Sequence, residues 1–292
     1  MKPAPECYEC LQRMISQAVD LATGDASRRH QVIREANRIL EEEFSYTSLC
    51  IIVASRIHSM IRGMTGNHDP YRPMKEGEMR LARDLYPELS QGLRIEAPGG
   101  RQGDGRFHDL RVHIQMAAAA NAIDYFRDFD AVRGDLRRPV EFAVDDLECL
   151  SGILGEAKTI LYLADNAGEI YFDLLVVKRL KQSAEVVYVV KPEPCQNDLT
   201  LEDVKDTGLE GEFGRVMSTG IASPGVIFSQ ASIEFRRKFE SADLIFAKGM
   251  GHYEALSELP AEGRFFHCLK AKCLRVSQSI GVPLNSYVAM LR

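Results

Sequence analysis

Apolar residues recur every three or four positions through most of the first 150 residues. Leu11, Ile15, Ala18, Val19 and Ala22 mark an amphipathic helix over 7–22, with Gly24 as its stop. Val32, Ala36, Ile39 and Leu40 mark a second over 28–43. The spacing predicts a third helix over 47–62, ending near Gly63 and Gly66, and a charged helix around 74–86 after Pro70 and Pro73. Glycines at 92, 99, 100, 103 and 105, interleaved with arginines, predict an exposed loop or the rim of a site over 92–106. A further helix over 108–127 carries Ala117 to Ala120, small residues that let another backbone approach closely. The segment 128–157 reads as a helical connection.

From 158 onward the period changes. Residues 160–164, 185–190, 215–217 and 244–247, with a further run over 267–269 or 265–269, are short apolar runs of strand length, and helical patterns over 169–182 and 231–240 follow two of them. Such alternation predicts an α/β fold with a three-layer core around a parallel or mostly parallel sheet. The expected organisation is a helical domain over 1–150 and an α/β catalytic domain over 151–292, with the active site at their junction.

Composition narrows the function. A content of 45% hydrophobic and 27% charged residues excludes a disordered chain, and a net charge of −6 predicts no general affinity for nucleic acid or acidic membranes. No apolar run reaches membrane-spanning length, and the first residues lack the basic-then-apolar order of a signal peptide, so a cytoplasmic protein is expected. A homo-oligomer is compatible with the sequence. Of seven cysteines, only Cys7 and Cys10 have metal or redox spacing. A secondary metal site there needs further ligands, for which Cys268, Cys273 and His267 are candidates; ordinary thiols on the first helix are the alternative.

The candidate chemistry lies where strands end. Asp165 and Asn166 close an apolar strand just before Gly168 and Glu169, and Asp198 follows the next strand in a proline-containing loop. Open parallel sheets place ligands at such carboxyl edges. Two carboxylates and an amide oxygen form an open set for a divalent cation such as Mg or Mn, although an aspartate in either loop also serves as a turn former or helix cap. Lys248 and Gly249 follow a third strand, and Thr219 and Gly220 a fourth, so Lys248 with backbone N–H groups near Gly249 and Gly220 is a candidate phosphate cradle. Asn121 and Asp124, three apart, share a helical face, either toward solvent or toward a cleft between the two regions. No dinucleotide glycine fingerprint, Walker loop, nucleophile elbow or zinc-protease helix is present.

Three ordered segments resemble the DUF89 family, also called the ARMT1-like or damage-control phosphatase family: Asp-Asn-x-Gly-Glu at 165–169 with Asp173, Asn-Asp-x-Thr at 197–200 with Asp203, and Lys-Gly-x-Gly-x-Tyr-Glu at 248–254. The likeness runs from Cys7 to Cys273 and is greatest to the compact bacterial and archaeal branch with an N-terminal cysteine pair. It implies a helical part on a Rossmann-like domain and metal-dependent hydrolysis of small phosphorylated metabolites, including sugar phosphates and phosphopantetheine-related compounds. By motif position it implies Asp165, Asn166 and Asp198 as metal ligands, with Mn, Mg, Co or Ni as the ion. It also implies Lys248 on phosphate and Asn121 and Asp124 near the reaction, with Asn197 joining the substrate-binding set. Asp124 and Glu169 are the candidates for orienting water. Ala120 replaces the family's glycine before Asn121, and His252 replaces an asparagine; His252 is expected to bear on substrate choice or pH response. The competing readings are an S-adenosylmethionine-dependent protein carboxyl methyltransferase and a non-catalytic phosphometabolite-binding module.

Overall fold

The helical period of the first region is spent on a separate core. In a computed structural model, which describes residues 1–95, 104–123, 129–136, 138 and 140–292, the chain begins with helices α1 (Pro5–Ala22), α2 (Ala26–Glu43) and α3 (Cys50–Thr65). Leu11, Ile15, Val19, Val32, Ile39, Leu40, Val53 and Ile57 are buried against one another in that bundle. The helix α4 (Arg72–Ile95) leaves it: Met74 stays in the bundle, while Ala82 and Leu85 pack on the core of the sheet. Then come α5 (Asp104–Ala119), a 3-10 turn at Ala120–Ala122, and α6 (Phe129–Leu136).

The remainder alternates: β1 (Phe142–Asp145), α7 (Leu147–Leu154), β2 (Thr159–Leu163), α8 (Ile170–Leu180), β3 (Glu185–Val190), α9 (Leu201–Thr207), α10 (Glu210–Phe213) and β4 (Arg215–Ser218). It closes with α11 (Ile233–Ser241), β5 (Leu244–Lys248), α12 (Gly249–Leu256), β6 (Phe265–Lys270), α13 (Leu274–Ile280) and β7 (Tyr287–Leu291). The sheet order is β1-β7-β6-β5-β2-β3-β4, parallel except where β6 meets β7. Side chains alternate between its faces. Ile160, Tyr162, Val186, Tyr188, Leu244 and Phe246 face one core, whereas Leu161, Leu163, Val187, Val189 and Ile245 face the other. Both faces are therefore covered, which is the three-layer α/β arrangement that the continuous apolar runs imply.

Two strands depart from the sequence reading. β1 lies inside the expected helical connection 128–157, and β7 pairs antiparallel beside β6. Each is short, and what holds β1 is its pairing with β7, a partner over 140 residues away that no local window contains. The helix expected over 108–127 ends at Ala119, because Asn121 is drawn out of helical register by partners described below. Of the loop expected over 92–106, the ends belong to α4 and α5, and 96–103 lie outside the described residues. No helix among the described residues is long and apolar enough to cross a membrane.

The core also holds two histidines that set an acid limit. Burial first, with Arg62 adding to it, lowers His58 to about 4; burial, with Arg292, lowers His267 to about 3. Each is neutral when folded and takes a proton in the unfolded chain below pH 6.5, so its contribution is complete above 6.5 and is lost as pH falls toward the folded value. His267→Phe should therefore gain about 2 kcal/mol on wild type between pH 7.5 and pH 5, about 1.5 pK units at 1.36 kcal/mol each. Urea unfolding at both pH values checks this, and a pH-independent difference would refute it.

Candidate active site

β2 and β3 are adjacent and parallel, so their carboxyl ends reach the same edge of the sheet. The turn after β2 carries Asp165, Asn166 and the 3-10 segment Ala167–Glu169 that starts α8; the loop after β3 brings Asn197 and Asp198 back beside it. Leu199 N–H donates to Asp165 O at 2.9 Å, Ala167 N–H donates to Asn197 O at 2.9 Å, and Asn166 bridges Asp198. The second loop is fixed from behind by a capping box. The Thr200 hydroxyl donates to Asp203 at 2.6 Å, Asp203 N–H returns a bond at 3.1 Å, and the buried Lys75 of α4 clamps Asp203 at 2.9 Å and Asp69 at 2.7 Å.

Asp165, Glu169, Asp173 and Asp198 are buried together at this edge. Asn121 Nδ2 donates to Asp165 Oδ2 at 3.3 Å and to Glu169 Oε1 at 2.7 Å; Asn166 Nδ2 donates to the same two atoms at 3.0 and 2.7 Å. With its amide nitrogen held by the acids, Asn166 turns its oxygen away from them. Asp165 rests against Gly249, whose φ is +79° and where any Cβ would overlap the carboxylate. Gly249 is thus required both by left-handed backbone and by the acid above it.

Lys248 stands beneath this layer rather than at a phosphate position. It is fully buried, and its three hydrogens go to Glu169 Oε2 at 2.5 Å, Asp173 Oδ1 at 2.9 Å and Ala117 O at 2.9 Å. The tyrosines Tyr162 and Tyr188 donate to Asp173 at 2.7 and 3.0 Å. An ammonium with all donors committed to two buried carboxylates and a carbonyl has none left for a ligand. Gly220 also lies elsewhere: its φ of +76° lets it pack on Ser232, and it does not line the cleft. His252 is buried beside Lys191 with Nε2 3.0 Å from Ala164 O; burial and the Lys191 charge hold it neutral, away from the cleft. Asp124 lies outside the described residues.

Above the edge is a cleft of about 730 Å³, between α1, α4 and the sheet. Asn166, Asn197 and Asn121 line its floor, Glu78 of α4 and Arg13 of α1 one side, and Lys270 and Lys272 the other. Lys272 donates to Asn121 O at 2.6 Å, and Asn197 Nδ2 donates to Glu78 Oε2 at 3.2 Å. The carbonyls of Ala117 and Asn121, at the end of α5, thus take the two lysines Lys248 and Lys272, a favourable match of cations to a helix C-terminus. Sequence reasoning missed Glu78, Lys75, Lys191 and Lys272 as site residues. The first two sit on a helix that reads as charged surface, yet both are buried. Lys272 had a visible signal, a basic residue two positions past a strand.

Burial first, then Glu169 and Asp198, push the Asp165 carboxyl well above the ordinary range, against Lys248 and Lys272. Burial lifts Asp198 to about 7 although Lys191 opposes it. Glu169 goes the other way: burial disfavours its charge, but Lys248 and the two asparagine amides hold it low. Asp198 Oδ2 is buried with no hydrogen bond, the Lys191 ammonium being 3.5 Å off. Among the described residues no three His, Cys, Asp or Glu side chains stand together as a metal-holding group. Asp165 and Asp198, with the orphaned Asp198 oxygen, are hard oxygen donors that suit a divalent cation, and Asn166 joins them once its amide turns its oxygen toward the pair.

The damage-control phosphatase ARMT1-like domain matches residues 4–288. A damage-control phosphatase of Pyrococcus horikoshii is 32% identical, covering 99% of this chain and 98% of its own length. A damage-control phosphatase of Archaeoglobus fulgidus is 30% identical, covering 99% of both. The crystal structure of a DUF89 family protein from Pyrococcus horikoshii superposes with a TM-score of 0.88 at 31% identity, covering 100% of this chain and 99% of the other.

Proposed function

Because the chain belongs to the damage-control phosphatase ARMT1-like family, we propose that it is a metal-dependent phosphomonoesterase of small phosphorylated metabolites, sugar phosphates and phosphopantetheine-related damage products among them. The observation that carries the reading is the buried pair Asp165 and Asp198, one oxygen of which has no hydrogen-bond partner, set under a cleft with lysines on its rim. The site lies where the helical half, read as 1–150, meets the α/β half. The pair Cys7 and Cys10 supports a place in the compact bacterial and archaeal branch.

Asp165, Asp198 and the Asn166 amide oxygen would hold the divalent cation, which supplies Lewis-acid polarisation of a phosphoryl oxygen. Manganese, magnesium, cobalt and nickel suit such oxygen donors. Glu169 does not face the substrate; it fixes the amides of Asn121 and Asn166, and Lys248 keeps it charged. Lys272 takes the phosphate-binding role first assigned to Lys248, since it lines the cleft and retains exposed surface. Asn197 offers a second donor. Glu78, buried at the cleft wall and bonded to Asn197, is placed to orient the attacking water and accept its proton.

The test is phosphate release from a panel of phosphorylated metabolites with each of these cations, run beside an S-adenosylmethionine binding assay. Release that requires added cation is expected. Saturable cofactor binding without release would favour the methyltransferase, and tight phosphometabolite binding without release the non-catalytic module. Lys272→Met should raise KM about 10–100-fold, the worth of a hydrogen bond to a charged group, with a smaller change in kcat. An unchanged KM would remove Lys272 from the phosphate.

A further inference from the structure

Four of the seven cysteines line a cavity beside the substrate cleft, and the phosphatase chemistry gives their thiols no role. Cys7 and Cys10 lie on the first turns of α1, Cys50 opens α3, and Cys273 precedes α13. All four line one cavity of about 430 Å³ between the helical bundle and the sheet. Ala4 N–H donates to Cys7 Sγ at 3.4 Å, which holds that thiol at the start of α1. The sequence-based candidates Cys268 and His267 are not part of this group. Both are buried in β6, Cys268 on the Lys248 side and His267 edge-on to Tyr253 at 5.3 Å. Cys149 is exposed on α7, and Cys195 is buried behind Asp198.

We propose that Cys7, Cys10, Cys50 and Cys273 form a site for one thiophilic divalent cation, with zinc as the reference ion, separate from the oxygen-donor centre at Asp165 and Asp198. A Cys-x-x-Cys pair supplies two ligands from one helix, and a structural zinc site takes two more from distant chain segments, which is the distribution seen here. Soft thiolates and hard carboxylates sort metals, so the two sites take different ions. The placement also differs from that of core cysteines, which are buried among apolar groups. Cys10 is exposed and Cys50 and Cys273 are half-buried, so their thiols have room to turn inward. They need to: no three of the four already stand in metal-holding geometry. Ligation releases the thiol protons to solvent and pins α1 and α3 to the start of α13.

That pin bears on the cleft. Cys10, Arg13, Met14, Gln196 and Lys272 line both the thiol cavity and the substrate cleft, and Cys273 directly follows Lys272. A cation held by the thiols ties one wall of the cleft to the other. The proposal stands without the phosphatase reading, because its readouts are metal content, spectra and stability.

The test uses the full chain, purified reduced and loaded with zinc or cobalt. Zinc should remain bound at about one ion per chain, and the cobalt form should show thiolate-to-cobalt charge transfer with intense tetrahedral absorption. Cys7→Ser and the pair Cys50→Ser with Cys273→Ser should each abolish that charge transfer. Asp165→Asn and the control Cys149→Ser should keep it. Chelation of the wild-type protein should lower Tm and zinc should restore it, so the test survives variants that fail to fold. Absence of charge transfer in the wild type overturns the proposal, as does its persistence without Cys50 and Cys273, or a Cys7–Cys50 disulfide forming in place of metal binding under the same conditions.

Discussion

Asp165→Asn and Asp198→Asn are each expected to lose phosphate release by about 10³-fold or more, and Asp165→Asn should be at least as stable as the wild type in the absence of divalent cation. The loss follows from removing one of two carboxylates that would hold the cation, and a polarising metal is worth several kcal/mol to the reaction. The stability change follows from electrostatics. Burial first, then Glu169 and Asp198, make ionised Asp165 costly; at Asp198 the same relief is opposed by the buried Lys191 ammonium 3.5 Å away, which an amide would leave unpaired. A carboxyl whose folded pKa exceeds its unfolded value opposes folding above the unfolded value, so the neutral amide at 165 relieves that cost near pH 7. The isosteric amide still fits against Gly249 and can turn its oxygen toward Asn121 and Asn166. Added Mn²⁺ should raise the Tm of the wild type and not that of either variant. Thermal unfolding with and without the ion, beside initial rates at fixed free metal, checks both halves. Wild-type rates in either variant would end the ligand assignment.

Lys248→Met has the opposite signature. It should destabilise the fold by about 3–5 kcal/mol, the cost of breaking a buried ion pair by removing one partner. Glu169 and Asp173 would be left as buried carboxylates around a methyl group, and Ala117 O would lose its donor at the end of α5. Urea unfolding measures the loss. A variant of wild-type stability with only a raised KM would instead place Lys248 on the phosphate, the role that its position after a strand suggests. Lys272→Met, half-exposed on the cleft, is the contrasting case in which binding suffers and stability does not.

Much of the frame was legible because it is local. Short continuous runs of Ile, Val, Leu and Phe alternating with helical patterns read as strands buried between two layers, and the five read from the sequence are five of the seven observed. Asp165, Asn166 and Asp198 could be paired in advance because adjacent parallel strands deliver their ends to one edge. Less legible was anything that depends on a second element. Lys248 and Lys272 are both lysines at strand ends; one is sealed under Glu169 and Asp173, the other faces the cleft, and only packing separates them. Asn121 was readable as a polar residue on an alanine-rich helix, but not as the group that ends that helix by reaching Asp165 and Glu169. Glu78 and Lys75 look like the charged face of α4, yet they are buried because α4 is pressed between the bundle and the sheet.

The sequence by itself determined five of the seven strands, their layering with the helices and the strand-end loops that carry the acids, since hydrophobic period and chain direction are properties of neighbouring residues. Tertiary structure alone decided which lysine faces the cleft and which is consumed as a counter-ion, which cysteines share a cavity, and how deeply each acid is desolvated. Those depend on contacts between segments far apart in the chain, and charge and hydrogen-bonding capacity take their chemical meaning only from the partners that burial leaves available.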